Sequence, residues 1–61
     1  MNLELTADQA SELKTLLEES LRELSHEIAA TDNAEYRHGL TRRRQLLVET
    51  DEALGALVAK A

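Results

Sequence analysis

Sixty-one residues allow one domain at most, and this chain has no cysteine, no proline, a single aromatic side chain (Tyr36) and 43% apolar residues. So small a domain hides too little of its surface to be well stabilised without a disulfide, a metal or a partner subunit, and the lack of cysteine excludes disulfides and thiolate metal sites. The net charge of −5 opposes nonspecific binding to nucleic acid or to an anionic membrane surface.

The missing thiols make the cytoplasm the default setting. The opening Met1-Asn2-Leu3-Glu4-Leu5 lacks a basic stretch followed by an apolar run. No segment approaches the roughly 18 apolar residues of a membrane span, so a soluble chain without membrane contact is expected. Leucine-rich composition, poor in β-branched and aromatic residues, favours helices over strands.

Thr6-Ala7-Asp8-Gln9 reads as a capping box, with the Thr6 hydroxyl and the Gln9 side chain satisfying each other's backbone amides. Helix 1 is therefore expected over about 7–30. Along it Ala10, Leu13, Leu17, Leu21, Leu24 and Ile28 recur at about 3.6 residues and make one apolar stripe. Asp32, with Glu35 three positions on, repeats the cap signature, which predicts a turn at about 31–32 and helix 2 over about 33–59. In that helix Tyr36, Leu40, Arg43, Leu47, Thr50, Leu54 and Leu57 advance by alternating fours and threes, the seam pattern of packed helices. One unbroken helix is the competing picture, since neither proline nor glycine interrupts the junction.

A hairpin turning near Thr31 and Asp32 opposes residues whose numbers sum to roughly 64, by antiparallel geometry. Ile28 then meets Tyr36, Leu24 meets Leu40, Leu17 meets Leu47 and Ala10 meets Leu54. The charges agree with this folding back. Residues 1–31 hold seven acids against Lys14 and Arg22, whereas residues 32–61 balance five acids with five bases. Cross-helix pairing of Arg37, Arg42 and Arg44 with acids such as Glu23 and Glu27 is expected, and Arg43 in the seam is expected to reach a glutamate such as Glu18.

The fold class expected is thus all-α, a single antiparallel two-helix hairpin spanning 1–61. Two helices alone share one interface, too little burial to offset the entropy of ordering about 50 residues at ~1–2 kcal/mol each. Leu16, Gly39, Leu46 and Ala53 flank the seams, the last three spaced by seven, and are the candidate dimer interface. Gly39 costs a helix about 1 kcal/mol relative to alanine, a cost understandable where another backbone passes closely. A homodimer forming a four-helix bundle is the expected arrangement, with docking onto a different protein as its rival.

Chemistry-bearing constellations are sparse. Glu23 with His26, and Glu35 with His38, fit the Glu-x-x-His spacing of metal-binding bundles. However, a step of about 100° per residue turns both imidazoles away from the stripes, so no metal ligand is assigned. There is no nucleophile with a base and an orienting acid, no glycine-rich phosphate loop, and no enclosed pocket for a small-molecule substrate is expected. No catalytic residue or cofactor is assigned, and the chain is expected not to be an enzyme.

The run Asp32-Asn33-Ala34-Glu35-Tyr36 resembles the tip of the coiled-coil hairpin in Gre transcript-cleavage factors, which insert that tip into RNA polymerase. The resemblance implies a magnesium-holding role for Asp32, at the second of that family's two tip acids, but the first falls on Ala29, and the family's C-terminal domain has no counterpart here. Glu27 to Arg37 also resembles the turn region of short bacterial helical-hairpin proteins, a group whose likeness implies the hairpin and no activity. The expected function is therefore a small interaction or regulatory module acting through self-association and a protein partner. The alternative is a regulator that contacts nucleic acid or RNA polymerase through Arg37, Arg42 and Arg44 or through the Asp32 tip.

Overall fold

The computed structural model describes residues 2–60, with Lys60 by its backbone alone, and consists of two helices, α1 (Ala7–Ala30) and α2 (Ala34–Lys60). The capping box forms: Thr6 Oγ1 accepts from the Gln9 amide at 3.1 Å, and Gln9 Oε1 accepts from the Thr6 amide at 3.0 Å. Asp8 in the first turn adds a carboxylate at the positive end of the helix dipole.

The helix stops at Thr31, whose extended backbone (φ −88°, ψ 138°) still lets its amide donate to the Glu27 carbonyl at 3.0 Å. Among the described residues none has a positive φ, so the reversal needs no glycine. That removes the objection that favoured one unbroken helix. The cap of α2 is Asn33 rather than Asp32. Asn33 Oδ1 accepts from the Tyr36 amide at 3.0 Å, and its carbonyl accepts from the Arg37 amide at 2.9 Å. Asp and Asn cap about equally well, so local geometry decides: the Thr31 hydroxyl already accepts from the Asn33 amide at 3.3 Å, and that contact holds Asn33 where its side chain faces the first turn. The helix consequently opens at Ala34, one residue later than the spacing suggested.

The molecule measures 42 × 22 × 13 Å. Its length is that of α2 at about 1.5 Å per residue, and its thickness is close to the roughly 10–12 Å of one helix with its side chains. The two antiparallel helices therefore form a single layer with both broad faces open. Burial is correspondingly small: the buried hydrophobic residues are Ala10, Leu24, Leu40 and Leu54. They are two of the pairs that the antiparallel register opposes, Ala10 with Leu54 at the open end and Leu24 with Leu40 near the turn. Leu13, Leu17, Leu21, Ile28, Leu47, Val48 and Val58 are half-buried between and around them.

The seam of α2 departs from its expected course. Leu40, Leu47 and Leu54 face α1, but Arg43, Thr50 and Leu57 are exposed, while Val48, Asp51, Gly55 and Val58 turn inward. The helix has rotated so that the positions four after Leu47 and Leu54, Asp51 and Val58, lie against α1 rather than those three after. Two terms favour that rotation. It spares the Arg43 guanidinium a desolvation that no partner would offset, and it brings Asp51 to Lys14. Tyr36, expected to close the hairpin against Ile28, keeps 56% of its surface in solvent.

A candidate interaction face

One broad face of the hairpin carries the polar interhelical contacts. Lys14 Nζ donates to Glu18 at 2.8 Å and to both Asp51 carboxylate oxygens at 3.1 and 3.2 Å. The Lys14 ammonium is held above its usual pKa, first by the hydrogen bond to Glu18 and then by that to Asp51. Gly55 lies beneath the stem, where an added Cβ would sit 3.7 Å from Lys14 Cε. Further along, Arg44 Nε donates to Ser25 Oγ at 3.4 Å, and Arg37 donates to the Thr31 carbonyl.

These contacts correct the expected ion pairs. Among the described residues the salt bridges are those of Lys14. Glu18 is taken by Lys14 rather than by Arg43, and no pairing of Arg37, Arg42 or Arg44 with Glu23 or Glu27 forms. The arginines also part company. Arg37 and Arg44, seven apart, share the face of Lys14, Arg43 lies on the opposite face, and Arg42 projects from the outer flank, as about 100° per residue requires. Asp32 is exposed at the turn, and so are Ala29, His26 and His38. Among the described residues no three His, Asp or Glu side chains gather into a metal site.

The opposite broad face carries the exposed leucines of the two helices, Leu16, Leu46 and Leu57. On α1 its edge runs through Gln9, Leu13, Leu16, Ser20, Glu23 and Glu27, in steps of four and three. On α2 it runs through Gly39, Arg43, Leu46, Thr50, Ala53 and Leu57, again alternating four and three, the spacing of a helix seam. A hollow lined by Ser20, Glu23, Leu24, Glu27, Arg43 and Leu47 joins the two edges and shows that they look the same way. Leu16, Leu46 and Leu57 retain 55%, 53% and 45% of their surface. Thr50 spends its hydroxyl on the Leu46 carbonyl at 2.8 Å, so it leaves no unpaired donor in the row. Around Gly39 a Cβ would meet nothing within 4 Å; within the single chain, no backbone passes close to it. The four residues read as a dimer interface, Leu16, Gly39, Leu46 and Ala53, thus all lie on one face.

At the open end this face deepens into a groove of about 490 Å³ lined by Leu5, Asp8, Gln9, Glu12, Leu13 and Leu16. Its size falls among small-molecule sites of roughly 300–1,000 Å³, but its walls come from one edge of α1 and the segment before it. An open trough of leucines rimmed by carboxylates fits the side chains of another helix better than an enclosed ligand. The groove, and the Lys14–Asp51 pair on the other face, escaped the sequence reading. Leu5 lies outside the helical repeat, and Lys14 and Asp51 each look like ordinary solvated charges. No helix among the described residues is long and apolar enough to cross a membrane. Comparison with known proteins returns no significant match to any family, any curated protein or any solved structure.

Proposed function

We propose that the chain is a non-enzymatic interaction module whose apolar face is closed by another protein surface, in the first place by a second copy, giving a four-helix bundle. The observation that carries this reading is the row Leu46, Thr50, Ala53 and Leu57 beside Leu16 and the groove, a seam-spaced face left open on a molecule that buries only four apolar residues among those described. Contiguous apolar patches on small soluble proteins mark contact sites, and a hairpin with so thin a core gains most from covering one. A regulator acting on nucleic acid through Arg37, Arg42 and Arg44 draws less support, because two of these donate hydrogen bonds within the chain and the three do not share a face.

Sedimentation equilibrium over a wide concentration range, with helicity followed on the same samples, tests the reading. A helical dimer whose melting temperature rises with concentration, and which Leu46→Glu converts to monomer, is the expected result. A stable helical monomer, equally stable as Leu46→Glu, overturns self-association. A poorly helical monomer moves the proposal to a different protein as the surface that closes the face.

A further inference from the structure

We infer that the second copy docks with its turn at the same end as the first, so that α1 of each protomer lies along α2 of the other and the acids of one helix meet the arginines of its neighbour. The inference rests on the reading of the apolar face as a self-association surface, and specifies how that surface is used.

Two-fold dimers are self-complementary, the same patch serving on both sides. A flat hairpin can stack face to face in two ways that keep the helices aligned. If the turns lie at opposite ends, α1 covers α1 with its direction reversed. The Glu23 and Glu27 stretch of one copy then falls on the Asp8, Glu12 and Leu13 groove of the other. Four carboxylates meet along each such contact with no base on that edge to offset them, and the groove receives charges instead of apolar side chains. Like-charge juxtaposition of this kind is what excludes wrong partners at interfaces.

If the turns lie at the same end, α1 covers α2 at equal height, and the register within one chain, set by Lys14 facing Asp51, gives the matches between chains. Leu57 and Ala53 of one copy come down at the level of Asp8 and Glu12 of the other, into the groove whose floor is Leu5, Leu13 and Leu16. Leu46 arrives beside Leu16. Arg43, with Arg42 on the outer flank, arrives at Glu23. Within one chain Arg43 already borders the hollow containing Glu23 and Glu27 without closing an ion pair on either, so both sides of the contact bring charges not yet matched. Leu46, Leu57 and Arg43 then each meet either an apolar trough or an opposite charge, which the first arrangement does not achieve.

The chain has no cysteine, so Asp32→Cys, at the exposed turn, accepts a single spin label, and the distance between labels in the dimer reads the arrangement directly. Turns at the same end place the labels roughly two interhelix spacings apart, about 20 Å. A distance near the 42 Å length of the molecule overturns the arrangement. Charge reversal supplies an independent arm. The double variants Arg42→Glu/Arg43→Glu and Glu23→Arg/Glu27→Arg should each lose at least about tenfold in dimer affinity, and an equimolar mixture should recover it as a heterodimer, seen by native mass spectrometry. Reversal variants that dimerise as tightly as the parent refute the charge pairing. A parent chain that shows no intermolecular distance at any concentration refutes the underlying reading of the face.

Discussion

Replacing Leu24 by alanine should cost the hairpin a large part of its stability, and the structure sets how much. Leu24 keeps 6% of its surface, level with Leu40 at 7%, in the half of the seam nearest the turn. Truncation withdraws about three buried carbons at ~0.8 kcal/mol each, or about 2.4 kcal/mol of transfer free energy. The cavity contribution that raises such substitutions toward ~5 kcal/mol should be small, because in a layer only 13 Å thick the seam stays close to water on the broad face that carries Lys14. The expected loss is therefore about 2–3 kcal/mol, near the lower end of the range for buried leucines. At ~0.05–0.15 kcal/mol per residue, the whole chain has about 3–9 kcal/mol to lose. For a domain this small the melting temperature should fall by about 10–20 °C, at roughly 4–8 °C per kcal/mol. Thermal and urea melts followed by circular dichroism at one fixed protein concentration measure it, with His26→Ala, at an exposed position, as the control within ~0.5 kcal/mol of the parent. A silent Leu24→Ala, or a His26→Ala that costs more, refutes the assignment of faces on α1.

Two further outcomes follow from local geometry. Asn33→Ala should cost about 1 kcal/mol by removing the acceptor for the Tyr36 amide, while Asp32→Ala should cost only a few tenths through the helix dipole; the reverse order in urea melts would return the cap to Asp32. Because folding raises the Lys14 pKa above its ordinary value of 10.5, its contribution is fully present below that pH and is lost as pH rises through the folded-state value. Stability should therefore hold through neutral pH and decline on the alkaline side. In Lys14→Arg, whose charge persists there, the decline should flatten, and an unchanged alkaline limb in that variant would remove Lys14 as its source.

How much of this was legible in the sequence differs between the two helices, for a physical reason. On α1 a single apolar stripe stands against a charged back, and the Thr6–Gln9 box is a local motif that needs nothing from the rest of the chain, so the start of that helix and its buried residues Ala10 and Leu24 could be read directly. On α2 the line Leu40, Leu47, Leu54 could be read, but not the side on which its flank lies. The positions three after each leucine are Arg43, Thr50 and Leu57, and those four after are Arg44, Asp51 and Val58. Each set offers one apolar residue and one arginine, so spacing alone does not separate them. The contact that separates them, Lys14 on Asp51, depends on the register and the rotation of both helices together, and neither helix carries it in its own pattern.

The same ambiguity bears on the candidate site. A helix that packs against one neighbour concentrates its apolar residues on one side, as α1 does, whereas α2 spreads them around its circumference and is much less amphipathic. Once the seam has taken Leu40, Leu47, Val48, Leu54 and Val58, the leucines that remain are not scattered: Leu46 and Leu57 fall with Gly39, Thr50 and Ala53 on one seam-spaced row. Two apolar rows on one helix are what the inner helix of a bundle needs, one for the neighbour in its own chain and one for a neighbour in another. The weak one-sidedness of α2, which made its seam hard to place, is what a helix would show if it served two neighbours, α1 in its own chain and the surface proposed to close the open face.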